Sequence, residues 1–173
     1  LMTAQCPDIL VHRGRSLQLC ATPLADLLKR RRRAARPRFL VQSTGCWRGY
    51  VATWEIIDRR LYLTGLEDAF VMVDGTPQPA TLETIFPRGP YPVPATWASD
   101  DLRCPEGRSI SRVHAAFAST SERDRILVVE KGILREEWLV YNPPAPLVYR
   151  IAPDGSRTFA DARTPLALDP FED

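Results

Sequence analysis

The stretch CWRGYVATWEIIDRRLYLTGL, residues 46–66, constrains the fold more than any other part of the chain. From Tyr50 the residues alternate, with Tyr50, Ala52, Trp54 and Ile56 on one face and Val51, Thr53, Glu55 and Ile57 on the other. That period of two belongs to a β-strand. Asp58, Arg59 and Arg60 make a turn, although Asp-Gly would make a simpler one, and the chain returns with Leu61 and Leu63 on one face. Aromatic and β-branched residues facing one another across a hairpin favour a packed sheet, so this segment is expected to be core. Arg48 and Glu55 are expected at its polar edge.

The remaining chain reads as more strands and one substantial helix. DILVHRGRSLQLC gives two short strands around a turn at Arg13-Gly14. Thr22 and Pro23 suit a helix start, and Leu24, Leu27 and Leu28 form one apolar stripe that stops where the arginines begin, so a helix is expected near residues 23–33. AFVMVDG reads as a strand ending in an Asp-Gly turn, TLETIF as a helical turn, and PRGPYPVP as an exposed loop or edge segment. ATWASDDLRCPEG reads as strand, turn and strand. SRVHAAFAS, DRILVVEKG and ILREEWLVYN read as successive strands, with turns at Ser121-Glu122 and Gly132, and PLVYRIAPDGSRTFA as a hairpin. The tripeptide ATW recurs at 52–54 and 95–97 without matching flanks. The expectation is a mainly β (α+β) fold: one domain over residues 3–173, an antiparallel sheet, barrel or sandwich, with an acidic tail frayed at about 166–173.

Charge is unevenly spread. The run KRRRRAARPR, residues 29–38, holds seven basic residues and leaves the rest of the chain with 16 basic against 21 acidic, a mildly acidic body with one basic spot. No apolar run approaches the roughly 18–20 residues that cross a bilayer, and no secretory leader is expected at the start, so no membrane partner and a cytoplasmic location are expected. The four cysteines, Cys6, Cys20, Cys46 and Cys104, are too scattered for a zinc site and are expected to be reduced, with no metal or cofactor. Neither G-x-G-x-x-G nor G-K-[ST] occurs.

The order PLADLL, RGYVATWEI…LYL and VHAAFAS…ERD…LVVEKG resembles a family of small bacterial β-rich proteins over about residues 8–140. The resemblance implies a bacterial, cytosolic, β-rich protein and carries over no catalytic residue.

Catalytic candidates are few. Of the two histidines, His12 and His114, the latter with Cys46 or Cys104 would supply the residue types of a thiol nucleophile and its base. The pairs Asp100-Asp101 and Glu136-Glu137 read as solvated charges, since neighbours on a strand point to opposite faces. The leading expectation is therefore a non-enzymatic protein-binding domain, such as an immunity or accessory factor of a bacterial interaction system. Its partner would carry an acidic patch, and its anchors would be Arg30, Arg31, Arg32, Arg33, Trp47, Arg48, Tyr91 and Trp97, since hot spots favour Trp, Tyr and Arg. The alternatives are an enzyme with a pocket in the sheet built on His114, and nucleic-acid binding through residues 29–38.

Overall fold

The structure is a computed structural model that describes residues 4–112, 116–143 and 147–160. The tail at 166–173 and His114 lie outside them. Strand β1 (Asp8–His12) turns through Arg13-Gly14, both at positive φ, into β2 (Arg15–Leu19). Helix α1 follows (Pro23–Arg30), then a single 3-10 turn at Arg33–Ala35. The expected hairpin is present as β3 (Val51–Ile57) and β4 (Arg60–Glu67), with Trp54 beside Leu63 and Ile56 beside Leu61. A small separate hairpin, β5 (Phe70–Val73) and β6 (Thr76–Pro79), precedes the short helix α2 (Leu82–Ile85) and the two-residue β7 (Val93–Pro94). Three long strands come next: β8 (Asp100–Ser111), β9 (Thr120–Glu130) and β10 (Ile133–Tyr141). The hairpin β11 (Val148–Ile151) and β12 (Arg157–Ala160) completes the described chain.

These strands make a ten-stranded sheet in the order β12-β11-β10-β4-β3-β1-β2, with β9 on the other edge of β10, β8 on β9, and β7 on β4. Its two halves join at one backbone pair, Ile133 with Arg60. The far edges also approach one another, and the Cys20 amide donates to the Arg103 carbonyl at 2.8 Å, but the strands do not close into a barrel. The sheet is mainly antiparallel, as expected, with one parallel strand pair, β1 and β3. β2 returns the chain to the end where β1 begins, and the connection through α1 then carries it across to β3 on the other side of β1.

Leu10, Leu19, Trp54, Leu61, Leu63, Leu102 and Leu127 fill the inside of the curled sheet and are essentially inaccessible. Leu24 and Leu28 of α1 belong to the same buried cluster. The helix stops three residues earlier than expected because Arg31 turns extended. Its guanidinium reaches the Ile85 carbonyl at 2.8 Å and sits 5.0 Å from the Phe86 ring centre. Arg36 then folds back onto the carbonyls of Lys29 and Arg31.

Other boundaries differ from the sequence reading. Ala95–Ala98 is a turn rather than a strand, so the two ATW segments are not structural equivalents. Ser121-Glu122 lies inside β9 rather than in a turn. Part of SRVHAAFAS lies outside the described residues, and Ala116 makes only an isolated bridge to Ala4. Beyond Glu106, β8 runs with both faces exposed, which removes the apolar alternation that would mark it as strand.

Candidate functional site

Alternation along β1 sends Asp8, Leu10 and His12 to the inside of the sheet. Leu10 belongs to the apolar core, so one strand places a polar group at each end of it. At the His12 end, cross-strand register sets the remaining partners. Glu106 lies opposite Arg123, Cys104 opposite Arg125, and Glu137 opposite Leu127, so all of these share the inner face.

The result is a network around two buried carboxylates. Glu137, 2 % exposed, pairs with His12 Nε2 at 3.2 Å and with Arg13 at 2.8 Å, and Arg125 donates to it at 2.5 Å. Glu106 accepts from Arg125 Nε at 2.6 Å and pairs with Arg123 at 3.4 Å and Arg15 at 3.6 Å. Arg13 also donates to the Ala152 carbonyl at 3.0 Å, which ties the β1–β2 turn to the end of β11. Burial alone would push both carboxyls up. The hydrogen bonds and charges of Arg125, Arg15 and Arg123 at Glu106, and of His12, Arg125 and Arg13 at Glu137, outweigh it and hold both below the usual range.

Above this floor is a cavity of about 300 Å³ lined by His12, Arg13, Arg15, Arg125 and Arg157. It adjoins a second of about 430 Å³, lined in part by Arg13, Glu137, Arg59, Arg135 and Arg150, and the two share Arg13 and Ile151. Together they form a cleft between the β1–β2 turn and the β11–β12 hairpin. Four guanidiniums, Arg13, Arg15, Arg123 and Arg125, face the two buried carboxylates; Arg123 also pairs with Glu122 at 3.8 Å, while Arg13, Arg15 and Arg125 line the cleft and leave positive charge in surplus there. Arg15 is the most open of the four, with 57 % of its side chain exposed.

The opposite end of β1 is structural. Asp8 is fully buried and accepts from Arg48 at 3.0 Å, from the Ala52 amide at 3.1 Å and from Trp54 Nε1 at 3.1 Å. Burial still raises its carboxyl above the ordinary value, against the pull of Arg48, Trp54 and Ala52. Arg48, expected as a surface anchor, is therefore committed to an internal ion pair. Trp97 is likewise held inside: it donates to the Pro23 carbonyl at 3.0 Å, stacks on Phe86 and meets Trp54 edge-on.

The other sequence-derived anchors divide. Arg31 is pinned as described, whereas the side chains of Arg30, Arg32 and Arg33 are exposed and make no hydrogen bond or ion pair among the described residues. Trp47 is 55 % exposed. Tyr91 is also exposed, but its hydroxyl donates to the Phe86 carbonyl. Cys104 sits in the apolar core, where burial first, and then Cys20 and Glu106, push its thiol strongly up; that is the opposite of an activated nucleophile. The Cys46 thiol donates to the Tyr50 carbonyl at 3.2 Å. No group of three or more His, Cys, Asp or Glu residues suited to a metal ion is found among the described residues.

The sequence reading missed the network itself. Glu137, read as one of two solvated charges, is instead buried, while its neighbour Glu136 points outward at 38 % exposure. The signal was available in DILVH, where Asp8 and His12 share the face of Leu10. No family model matches the chain, and neither a curated protein nor a solved structure matches it.

Proposed function

We propose that this protein is a non-enzymatic binding domain that receives an acidic protein segment in the arginine-lined cleft. The observation that carries this reading is the imbalance at the cleft floor: two buried carboxylates orient the cleft-lining guanidiniums of Arg13, Arg15 and Arg125 and leave cationic capacity facing the opening, to which Arg157 adds. Guanidinium forks held in place by internal carboxylates pair with incoming carboxylates at little further ordering cost. Arg30, Arg32, Arg33 and Trp47 offer additional exposed contacts. Such a domain suits an immunity or accessory role in a bacterial interaction system, and four free thiols among the described residues suit the cytoplasm. No helix is long and apolar enough to cross a membrane among the described residues.

The test is a binding titration with an Asp/Glu-rich peptide, run with wild type and with Arg15→Ala and Arg157→Ala. Each variant is expected to weaken binding by about tenfold, the loss of roughly one charge-assisted contact. Unchanged affinity in both variants, or a preference for single-stranded RNA over the peptide, sinks the reading.

One observation favours an enzymatic alternative: an imidazole held by a carboxylate, His12 with Glu137, at the edge of a cleft. Among the described residues the cavity beside His12 is lined by no hydroxyl or thiol side chain, which favours acid–base chemistry there. Turnover of any phosphoester or ester that His12→Gln abolishes, without loss of folding, would establish it.

A further inference from the structure

We propose that Cys6 and Cys46 form a reversible redox pair, whose disulfide ties the segment leading into β1 to the loop that carries Trp47. The Cys6 amide donates to the carbonyl of Gly45, the residue before Cys46, at 2.7 Å. Both thiols line one cavity of about 310 Å³ and both are part-exposed, so a small oxidant reaches them. The Cys46 thiol donates to the Tyr50 carbonyl at 3.2 Å, and the Arg48 guanidinium donates to the Cys6 carbonyl at 2.9 Å, so both cysteines are held beside the same short stretch of chain. Cys104, by contrast, is sealed in the core. Two polar contacts already hold the segments together: Gln5 Nε2 donates to the Thr44 carbonyl, and the Trp47 amide donates to Gln5 Oε1. A covalent bond here therefore fastens an arrangement the fold has made.

The oxidant is a low-molecular-weight disulfide such as glutathione disulfide. The Cys46 thiolate attacks one of its sulfurs, forming a mixed disulfide and expelling a thiolate. The Cys6 thiol loses its proton, attacks the Cys46 sulfur and expels the second thiolate. Two protein thiols thus lose two protons and two electrons, and the small disulfide becomes two thiols. Cys6 is the second to act because burial, and then the neighbouring Cys46, push its thiol up to about 11 and keep its thiolate scarce. The bond would limit the freedom of the loop carrying Trp47, so redox state would set how firmly that exposed indole is presented.

The experiment exposes the full chain to millimolar glutathione disulfide, quenches it with acid, and maps peptides without reduction. Thermal unfolding and tryptophan emission are recorded on the same samples. The expected result is a Cys6–Cys46 crosslinked peptide, a rise in melting temperature of about 5 °C or more, and reversal by dithiothreitol. Cys20→Ser should give the same crosslink, and Cys46→Ser should give none. Glutathione adducts without a crosslink, a Cys20–Cys104 crosslink, or a wild type that stays reduced would each overturn the proposal. The wild-type map decides alone, so a variant that fails to fold does not blur the answer. This outcome is also independent of whether the cleft binds an acidic peptide.

Discussion

His12 and Glu137 stand 125 positions apart in the chain and meet at 3.2 Å inside the sheet, one from the second strand in from its edge and the other from the long hairpin of the opposite half. Their contact spans a junction where the strand ladder has a single residue pair, Ile133 with Arg60, and a few separate backbone bonds such as Cys20 to Arg103. Side-chain charge adds to what these main-chain bonds supply.

Glu137→Gln should therefore cost about 3 kcal/mol of stability, because removing one member of a buried ionic group strands its partners. Glu136→Gln, one position away but facing solvent, should stay within about 0.5 kcal/mol of wild type. Urea unfolding of the two variants checks this, and equal effects would remove the network from the account of the fold.

The same carboxylates set an acid limit. The unfolded chain binds a proton at each Glu near the ordinary value of about 4.3, whereas the fold holds Glu106 and Glu137 below theirs. The stability they add is complete above that ordinary value and is lost as pH falls through the depressed one. Asp8 has the opposite sign. Its raised carboxyl adds stability that is complete below the ordinary value of about 3.9 and is lost as pH rises through the folded one. Urea midpoints from pH 2 to 8 should therefore fall on the acid side less steeply for Glu137→Gln than for wild type. Asp8→Asn should lose less between pH 4 and 8. Parallel curves for all three proteins would contradict the assignment.

Arg59 explains why the hairpin turn lacks a glycine. It adopts φ of +62°, and its guanidinium donates to the Leu134 and Arg135 carbonyls at 2.7 and 2.9 Å. Arg59→Ala keeps the unfavourable backbone and loses both bonds, so it should cost about 2 kcal/mol. Arg59→Gly loses the bonds but relaxes the backbone, and should cost roughly 1 kcal/mol less than the alanine variant. Thermal melts of the pair measure the difference directly.

Within the basic run, position separates structure from surface. Arg31→Ala removes the bond to the Ile85 carbonyl and the contact with Phe86, and should cost about 1–2 kcal/mol. The triple change of Arg30, Arg32 and Arg33 to Ala should leave the melting temperature near that of wild type while weakening capture of an acidic peptide, more so at low salt. A triple variant that melts early would show that these side chains serve the fold instead.

The sheet was legible where one face is apolar and the other polar. Tyr50, Ala52, Trp54, Leu61 and Leu63 alternate cleanly, and both hairpin strands lie where that alternation puts them. The end of α1 was not, because Arg31 leaves the helix for a carbonyl 54 positions away. The cleft was hidden for a related reason. Its inward positions carry Glu106, Arg125 and Glu137, which look like solvent-facing residues until opposite charges from β1, β8, β9 and β10 are brought together. Charge that is compensated over long range leaves no local pattern, and adjacency, as in Glu136-Glu137, misdirects.

β1 also acts as an alignment gauge for the whole molecule. Asp8 at one end accepts from β3, His12 at the other pairs with β10, and Leu10 between them enters the apolar core. A slip of one position would present Pro7, Ile9 and Val11 instead, leaving Arg48, Trp54 and Glu137 without these partners. Five residues with a charge at one end, an imidazole at the other and a hydrocarbon in the middle thus admit one alignment, and the strand measures both halves of the sheet against each other.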